Sequence, residues 1–170
     1  MLTIEENLSI MKEIYSVQVA VQKIEYFCSY QERCHEEVIA KLRSMKMEQD
    51  EIDSIMAHLI GSNFLNEERF ASSFARGKHR IKNWGRIRIV NELKFKKISQ
   101  TLINIALMEI TPEEYAVNFH ALAERHWETI LETNALKKKK QFCDYLLRRG
   151  YESHLVFEKV KEFVSSTSSD

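Results

Sequence analysis

The apolar positions of the chain repeat three times when Leu42, Leu93 and Leu146 are superimposed. Positions three and four before each leucine, and five, ten, fourteen and seventeen after it, are apolar in every copy. Such spacings align side chains along one face of an α-helix. Each copy is therefore predicted to hold two amphipathic helices with a short break between them. The matched positions are Val38, Ile39, Met47, Ile52, Met56 and Leu59; Ile89, Val90, Ile98, Ile103, Leu107 and Ile110; and Phe142, Cys143, Tyr151, Val156, Val160 and Phe163.

A further helix is predicted ahead of each pair. The first covers roughly residues 18–28, and the second runs from 67 to about 81. The third starts at Thr111, where Thr111, Pro112 and Glu114 form a capping box with proline at the first helical position. Asn66 offers a side-chain cap for the second of these helices. The apolar stripe of that second helix is predicted to be Phe70, Phe74, Gly77 and Ile81.

These elements predict an all-α fold of three tandem three-helix repeats, at residues 18–65, 66–110 and 111–165. Units of this size bury too little apolar surface alone and must stack on their neighbours, so an elongated, curved array is expected. Residues 1–17 are assigned to an N-terminal segment and the serine-rich residues 166–170 to a disordered tail. The scarcity of turn residues, with 4 Gly and 1 Pro, argues against a β-rich fold.

Several classes of protein are disfavoured by composition. The first residues carry acids and lack the apolar core of a secretory signal, and no long uncharged apolar stretch occurs, so a cytoplasmic protein without a membrane span is expected. The odd set Cys28, Cys34 and Cys143 suits buried thiols better than disulfides. Zinc ligation is the alternative, but no C-x2-C or H-x3-H pair occurs, and we predict no metal site. The six histidines are expected at the surface or in caps.

Charge is strongly segregated although the chain is neutral overall. Residues 1–66 carry a net charge of −5, residues 67–100 carry +7, residues 101–136 carry −5 and residues 137–170 carry +3. Such blocks create local fields that a neutral total conceals. Residues 67–100 are therefore the region expected to hold a polyanion or an acidic protein surface.

Candidate binding residues lie within this basic block. Arg69, Arg76 and Arg80 are spaced to form a ladder on one flank of a helix, although such a ladder can equally be a solvated face. Their guanidinium groups match carboxylate and phosphate oxygens alike, so the chemistry does not choose the partner. The other candidates of this block are Lys78, Lys82, Trp84, Arg86, Arg88, Lys94, Lys96 and Lys97.

Two aromatic residues and a second basic region leave alternatives open. Trp84 is either an exposed anchor or a packing wedge beside Gly85. Phe95 points away from the stripe of Val90 and Leu93 and is assigned to a contact with another repeat or with a partner. The second region is either a secondary contact or a solvated helix start. Its members are Lys137, Lys138, Lys139, Lys140, Arg148 and Arg149.

Catalytic signatures are missing from the sequence. There is no glycine-rich phosphate loop, no H-E-x-x-H motif, and no Ser, His and acid set at a telling spacing. We therefore predict a binding protein with no catalytic residues and no cofactor.

Residues 63–98 resemble the RecX family. The family's pattern of an acidic helix start, Phe-Ala-x-x-Phe, a basic run, Trp-Gly, Arg-Ile and Glu-Leu is matched, and residues 36–42 are similar to its first unit. Lys97 stands where the family commonly has glycine, Asn66 where it has aspartate, and many members are strongly basic. The matching residues are Leu65, Glu67, Glu68, Arg69, Phe70, Ala71, Phe74, Arg76, Trp84, Gly85, Arg86, Ile87, Glu92 and Leu93.

This resemblance implies a function in homologous recombination, DNA repair and the SOS response. It implies a monomeric regulator that lies along the RecA filament on single-stranded DNA and restrains ATP turnover and strand exchange. The alternative is a helical protein, such as a helix-turn-helix transcription regulator, that binds single- or double-stranded DNA directly through residues 76–97. A generic helical scaffold for another protein is a third hypothesis.

Overall fold

The computed structural model describes residues 16–167, and every regular element in that range is an α-helix. The N-terminal segment predicted at 1–17 falls mostly outside the described residues, as do residues 168–170 of the predicted tail. The nine helices of the described range are α1 (Val17–Tyr30), α2 (His35–Ser44), α3 (Gln49–Gly61), α4 (Glu67–Lys82), α5 (Arg86–Phe95), α6 (Gln100–Met108), α7 (Pro112–Thr129), α8 (Ala135–Arg149) and α9 (Ser153–Thr167).

Two compact units make up the chain, one ending at Phe70 and the other beginning at Ala71. In the first unit α1, α2 and α3 pack on one another around a core that includes Ile24, Leu42 and Leu59. In the second unit α5 packs on α6, and α8 packs on both α7 and α9. The second and third predicted repeats, apart from the first turn of α4, thus belong to one unit.

The threefold pattern is confirmed by the burial of its positions. Leu42, Leu93 and Leu146 are fully buried, and the positions four before and five and ten after each of them are at most 7% exposed. The positions three before and fourteen after are half-buried in every copy. The apolar pattern therefore marks the core-facing side of each helix pair.

The break between the paired helices has the same geometry in each repeat. The backbone is left-handed at Lys46 (φ 62°), Lys97 (φ 61°) and Gly150 (φ 86°). One residue later, the N–H groups of Met47, Ile98 and Tyr151 donate to the carbonyls of the three aligned leucines at 3.3, 3.0 and 3.2 Å. This is the Schellman termination, in which a left-handed residue ends the helix and the following apolar residue packs back on it.

The predicted side-chain caps are present at two helix starts, although the Glu114 half of the predicted capping box is not formed, because its carboxylate binds Arg80. The Thr111 hydroxyl accepts from the Glu114 N–H at 3.2 Å, with Pro112 in the first turn, and Asn66 Oδ1 accepts from the Arg69 N–H at 2.9 Å. Gly61, Gly85 and Gly150 stand at helix ends.

The stripe predicted for α4 was partly wrong. Phe70 is buried, but Ile81 is 74% exposed, and the fully buried positions are Ala71, Ala75 and His79. These three residues follow one another at intervals of four and form the core-facing line of the helix. Small and polar side chains contributed little to the apolar pattern, so the pattern pointed to the neighbouring line of larger residues.

Candidate partner-binding surface

A cluster of aromatic and basic side chains surrounds Trp84 in the second unit. The Arg88 guanidinium lies 4.0 Å from the centre of the Trp84 ring, and Lys78 Nζ lies 5.0 Å from it. Phe74 meets the same ring edge-on at 6.3 Å, and Lys96 Nζ lies 6.0 Å from the Phe74 ring. We call Phe74, Lys78, Trp84, Arg88 and Lys96 the Trp84 cluster. Cations over aromatic faces are attracted by the ring quadrupole, so the rings hold the positive charges in place.

A buried histidine, His79, holds the backbone of Trp84 in place. His79 is fully buried; its Nδ1 lies 2.9 Å from the Trp84 carbonyl oxygen, and its Nε2 lies 2.8 Å from Asn118 Nδ2. A carbonyl only accepts, so Nδ1 donates and Nε2 accepts, which is the neutral imidazole. The ring also stacks on Tyr115 at 5.3 Å. The expectation that every histidine lies at the surface or in a cap was therefore wrong for His79, because both of its ring nitrogens find partners inside the fold.

The start of α5 is docked on the end of α8. The N–H of Gly85 donates to the Arg149 carbonyl at 2.8 Å, and the N–H of Ile87 donates to the Gly150 carbonyl at 3.0 Å. These bonds satisfy helix-terminal groups that would otherwise need caps, since no side chain caps α5. A Cβ on Gly85 would lie 2.2 Å from the Gly150 oxygen, and a Cβ on Gly150 would lie 2.4 Å from Arg88 Cβ. The contact therefore requires glycine at both positions.

This junction joins part of the second basic region to the first. Arg88 Nη1 donates to the Arg148 carbonyl at 3.3 Å, and Arg149 Nη1 donates to the Lys82 carbonyl at 2.5 Å. Residues sixty and sixty-seven positions apart in the sequence thus form one basic surface around the Trp84 cluster. From the sequence, these residues were assigned to two separate basic regions.

The lysine run lies apart from that surface. Lys137–Lys140 occupy the start of α8 and Arg148 and Arg149 its end, about 12 Å or more away at 1.5 Å per residue. Lys138 lies 4.6 Å from the Trp127 ring, and Lys140 pairs with Asp144 at 2.7 Å. The predicted secondary patch is therefore divided between the two ends of one helix.

The arginine ladder is engaged with carboxylates. In the first unit Arg69 pairs with Glu32 at 2.5 Å and also donates to Asn63. In the second unit Arg76 Nη1 pairs with Glu109 at 2.8 Å.

Arg80 holds Glu114 through two bonds, at 2.6 and 3.1 Å. The bond between Arg80 and Glu114 raises the pKa of the guanidinium and lowers the pKa of the carboxyl group. The three arginine side chains are 38–54% exposed and each is paired with a carboxylate, and the prediction that they track an outside anion stays a prediction.

The remaining candidates differ in exposure. Arg86 lies over the Tyr115 ring at 4.1 Å, on the opposite side of α5 from Arg88. Lys82, Lys94 and Lys97 are exposed. Phe95, beside Lys94, is 86% exposed and does point away from the core, as the helical spacing predicted.

Sequence reasoning missed the groups that organise this surface. Glu109 and Glu114 lie in the acidic block that follows the basic one, and each is 33 or 34 residues from the arginine it holds. A separation of 33 or 34 residues indicates an ion pair only once the packing of the repeats is known. Asn118 and Tyr115 carried no signal beyond their place on a predicted helix.

The described residues show neither a metal cluster nor a spanning helix. No group of three or more His, Cys, Asp or Glu side chains between 16 and 167 could hold a metal ion. Among the same residues, no helix is long and apolar enough to cross a membrane. The thiols of Cys28 and Cys143 have their pKa raised by burial, and Cys34 is fully buried.

Comparison with known proteins finds a similarity that includes the Trp84 cluster. Residues 66–107, which contain the whole Trp84 cluster, match the family model of the second three-helix domain of RecX. A regulatory protein RecX from Bacillus cytotoxicus is 26% identical over 163 residues, covering 92% of this chain. The chain is similar to the RecX family, in its second three-helix domain and along most of its length. Another RecX relative, from Clostridium acetobutylicum, is 27% identical over 140 residues and covers 80% of the chain.

Solved RecX structures share the fold. A crystal structure of regulatory protein RecX superposes with a TM-score of 0.76 at 22% identity and covers 95% of this chain and 80% of the other. RecX from Lactobacillus salivarius superposes with a TM-score of 0.73 at 24% identity, covering 86% and 95%.

This chain spans 60% of the Bacillus cytotoxicus relative and 64% of the Clostridium relative. The matched second domain includes the Trp84 cluster but not Arg148, Arg149 or the lysine run.

Proposed function

We propose that this chain binds a RecA filament on single-stranded DNA and restrains its ATP turnover and strand exchange. Its relatives carry the name regulatory protein RecX, which supports a regulatory role. The observation that carries the proposal is the basic surface formed where the Trp84 cluster meets the end of α8. Within the second unit, the cations of two separate sequence blocks are gathered there rather than dispersed.

The surface suits a large anionic assembly more than a small ligand. Its cations are spread over the ends of α4, α5 and α8, and Arg88 and Lys78 are held against the faces of Trp84. Fixed charges lose little conformational freedom on binding, which favours many modest contacts acting together. The proposed function is binding, and it requires no catalytic residue, metal or cofactor.

The test is the ATPase rate of a RecA recombinase on single-stranded DNA, with and without this protein. We expect the rate to fall as the protein is added, and less so for the triple variant Lys78→Gln, Arg88→Gln, Arg148→Gln. The matched control, Lys41→Gln, Arg43→Gln, Lys46→Gln, removes the same charge from the first unit and should inhibit like the native chain. An unchanged rate at an equimolar ratio of native chain to recombinase would refute the proposal.

Direct nucleic-acid binding is the second candidate, favoured by the density of cations beside Trp84. Phosphate contacts release counterions, so affinity falls steeply with salt. Gel-shift titrations at two salt concentrations on single- and double-stranded DNA separate the candidates. Tight, sequence-selective duplex binding without recombinase would favour this second function.

A further inference from the structure

A cavity lined by both polar and apolar side chains lies in the second unit, on the other side of α5 from the Trp84 cluster. Its volume is about 250 Å³. Its walls come from the first residue of α5, the first turns of α7 and the start of α9. The polar lining consists of Arg86, Tyr115, His120, Glu152 and His154, and the apolar lining includes Phe119 and Leu155.

The guanidinium of Arg86 is the fixed cation of this cavity. It lies 4.1 Å from the centre of the Tyr115 ring, and within residues 16–167 no carboxylate pairs with it. Tyr115 also fixes the backbone of Arg86, because the Tyr115 hydroxyl accepts a hydrogen bond from the Arg86 backbone N–H at 3.2 Å. A guanidinium supported on an aromatic face keeps donors directed outward, which suits a planar anion.

Glu152 lines the same cavity but forms no ion pair with that cation in the part of the chain that the structure describes. Its Oε2 accepts from the Tyr115 hydroxyl at 2.6 Å, and this bond contributes, after burial, to raising the pKa of Tyr115. The tyrosine therefore remains a protonated donor to Glu152, and the carboxylate is held at the tyrosine rather than at Arg86.

Three helices begin at the walls of the cavity, with α5 starting at Arg86, α7 at Pro112 and α9 at Ser153. Each start carries a partial positive charge of roughly half a unit. The N–H groups at the start of α5 are already bonded, and α7 carries Glu113 and Glu114 in its first turn, so Arg86 is the group that favours an anion in this cavity.

Size and lining select the kind of anion. The cavity is smaller than the roughly 300–1,000 Å³ of sites for whole small molecules, so it fits one side chain better than a free metabolite. Phe119 and Leu155 offer apolar surface beside the charge, whereas Glu152 opposes a doubly charged group such as phosphate. The occupant should thus carry one negative charge next to apolar atoms.

We propose that this cavity binds the carboxylate of a glutamate or aspartate that stands beside an apolar residue on a partner protein. The site is distinct from the basic surface of the proposed function and does not depend on it. A partner could therefore be held by α5 on two sides, through anions at the Trp84 cluster and through a single acidic side chain here.

The test is an NMR titration of the full chain with the dipeptide acetyl-Leu-Glu-amide. Saturable shifts are expected at the Arg86 Nε–Hε group and at the rings of His120 and His154. Acetyl-Leu-Gln-amide, which lacks only the charge, should produce shifts at least tenfold weaker at equal concentration. Inorganic phosphate provides the second anion and should bind more weakly than the glutamate peptide.

Variants assign the effect to the cavity. Arg86→Gln should abolish saturation by acetyl-Leu-Glu-amide, while Arg125→Gln, at an exposed arginine elsewhere in α7, should leave it unchanged. Leu155→Trp fills the apolar side and should also abolish binding without removing a charge. Equal shifts with the Gln peptide, tighter binding of phosphate, or saturation that survives Arg86→Gln would each overturn the proposal. Recombinase inhibition plays no part in these measurements, so they can fail while the proposed function stands.

Discussion

At the residue scale, equivalent positions in the three repeats have the same backbone conformation or burial but carry different side chains. The left-handed position that ends the first helix of each pair is Lys46, Lys97 or Gly150. A side chain there crowds the following carbonyl and costs roughly 1–2 kcal/mol, whereas glycine adopts the conformation freely. The buried position thirteen after each aligned leucine is Ile55, Ala106 or Lys159. Lys159 is tolerated because it pairs with Glu124 and Glu162 at 3.3 and 3.0 Å.

Replacement of Lys97 by glycine should stabilise the protein. Relief of the left-handed strain exceeds the greater freedom that glycine has in the unfolded chain, so we expect a gain of about 0.5–1 kcal/mol. Urea unfolding should show a higher midpoint with an unchanged slope. The control is Lys94→Gly, in a right-handed helical turn of the same helix, which should lower stability. If both variants shifted the midpoint in the same direction, the strain at Lys97 would not be the cause.

His126 should make stability depend on pH. Burial, and then the charge of Arg149, lowers the pKa of His126 below its ordinary value of 6.5, and its Nε2 is buried without a hydrogen-bond partner. The unfolded chain therefore takes up the proton first as pH falls, and stability present above pH 6.5 is lost as pH falls toward the folded pKa.

In the native protein the His126 ring stacks on Tyr145 at 3.7 Å. His126→Phe keeps an aromatic ring at this position and removes the titratable group. Urea unfolding at pH 7.5 and 5.5 should show a smaller loss for the variant. An equal loss in both proteins would assign the pH dependence to other groups.

At the element scale, the junction of α5 with α8 does more than any single side chain to build the candidate surface. Two backbone bonds and two facing glycines set the distance between these helices, and that distance places Arg148 and Arg149 beside Lys82 and Arg88. The N–H groups at the start of α5 bond to the carbonyls at the end of α8, so no side-chain cap is needed and the sequence gives no sign of the contact.

Gly85→Ala should open this junction. Its new Cβ would meet backbone of Gly150 and Tyr151 at 2.2–2.4 Å, and backbone cannot move aside as a flexible side chain can, so we expect a loss of more than about 2 kcal/mol.

Gly77→Ala is the matched control, because nothing lies within 4 Å of the added atom in the interior of α4. It should stabilise the chain by roughly 0.5–1 kcal/mol. Thermal unfolding measures both, and a Gly85→Ala midpoint equal to the native one would show that the contact is not required.

At the scale of the whole molecule, acidic and basic blocks that alternate along the chain neutralise each other in part. Glu109 and Glu114 from the acidic block hold Arg76 and Arg80 from the basic block. The net charge of a block therefore overstates the charge that is open to a partner. Lys78 and Arg88 face the Trp84 ring, and Arg88 and Arg149 donate to backbone carbonyls.

Neutralising the two glutamates should release the two arginines. For the double variant Glu109→Gln, Glu114→Gln we expect tighter binding to single-stranded DNA and a steeper loss of affinity with salt, because each freed arginine adds about 0.7 to the slope. Fluorescence anisotropy at several salt concentrations gives both quantities. The control Glu128→Gln, Glu132→Gln removes the same charge elsewhere. Equal slopes in the two variants would show that the ladder does not reach DNA.

The sequence alone determined the helices, their threefold repetition and the faces they bury, since apolar spacing and caps act locally. It also located the basic residues around Trp84. Tertiary structure decided which charges are available, because the partners of Arg76 and Arg80 lie more than thirty residues away. It alone brought Arg148 and Arg149 to Lys82 and Arg88, through backbone contacts between glycines that leave no side-chain pattern. Local periodicity records which side of a helix is buried, whereas pairing across helices depends on distances that only the packed fold sets.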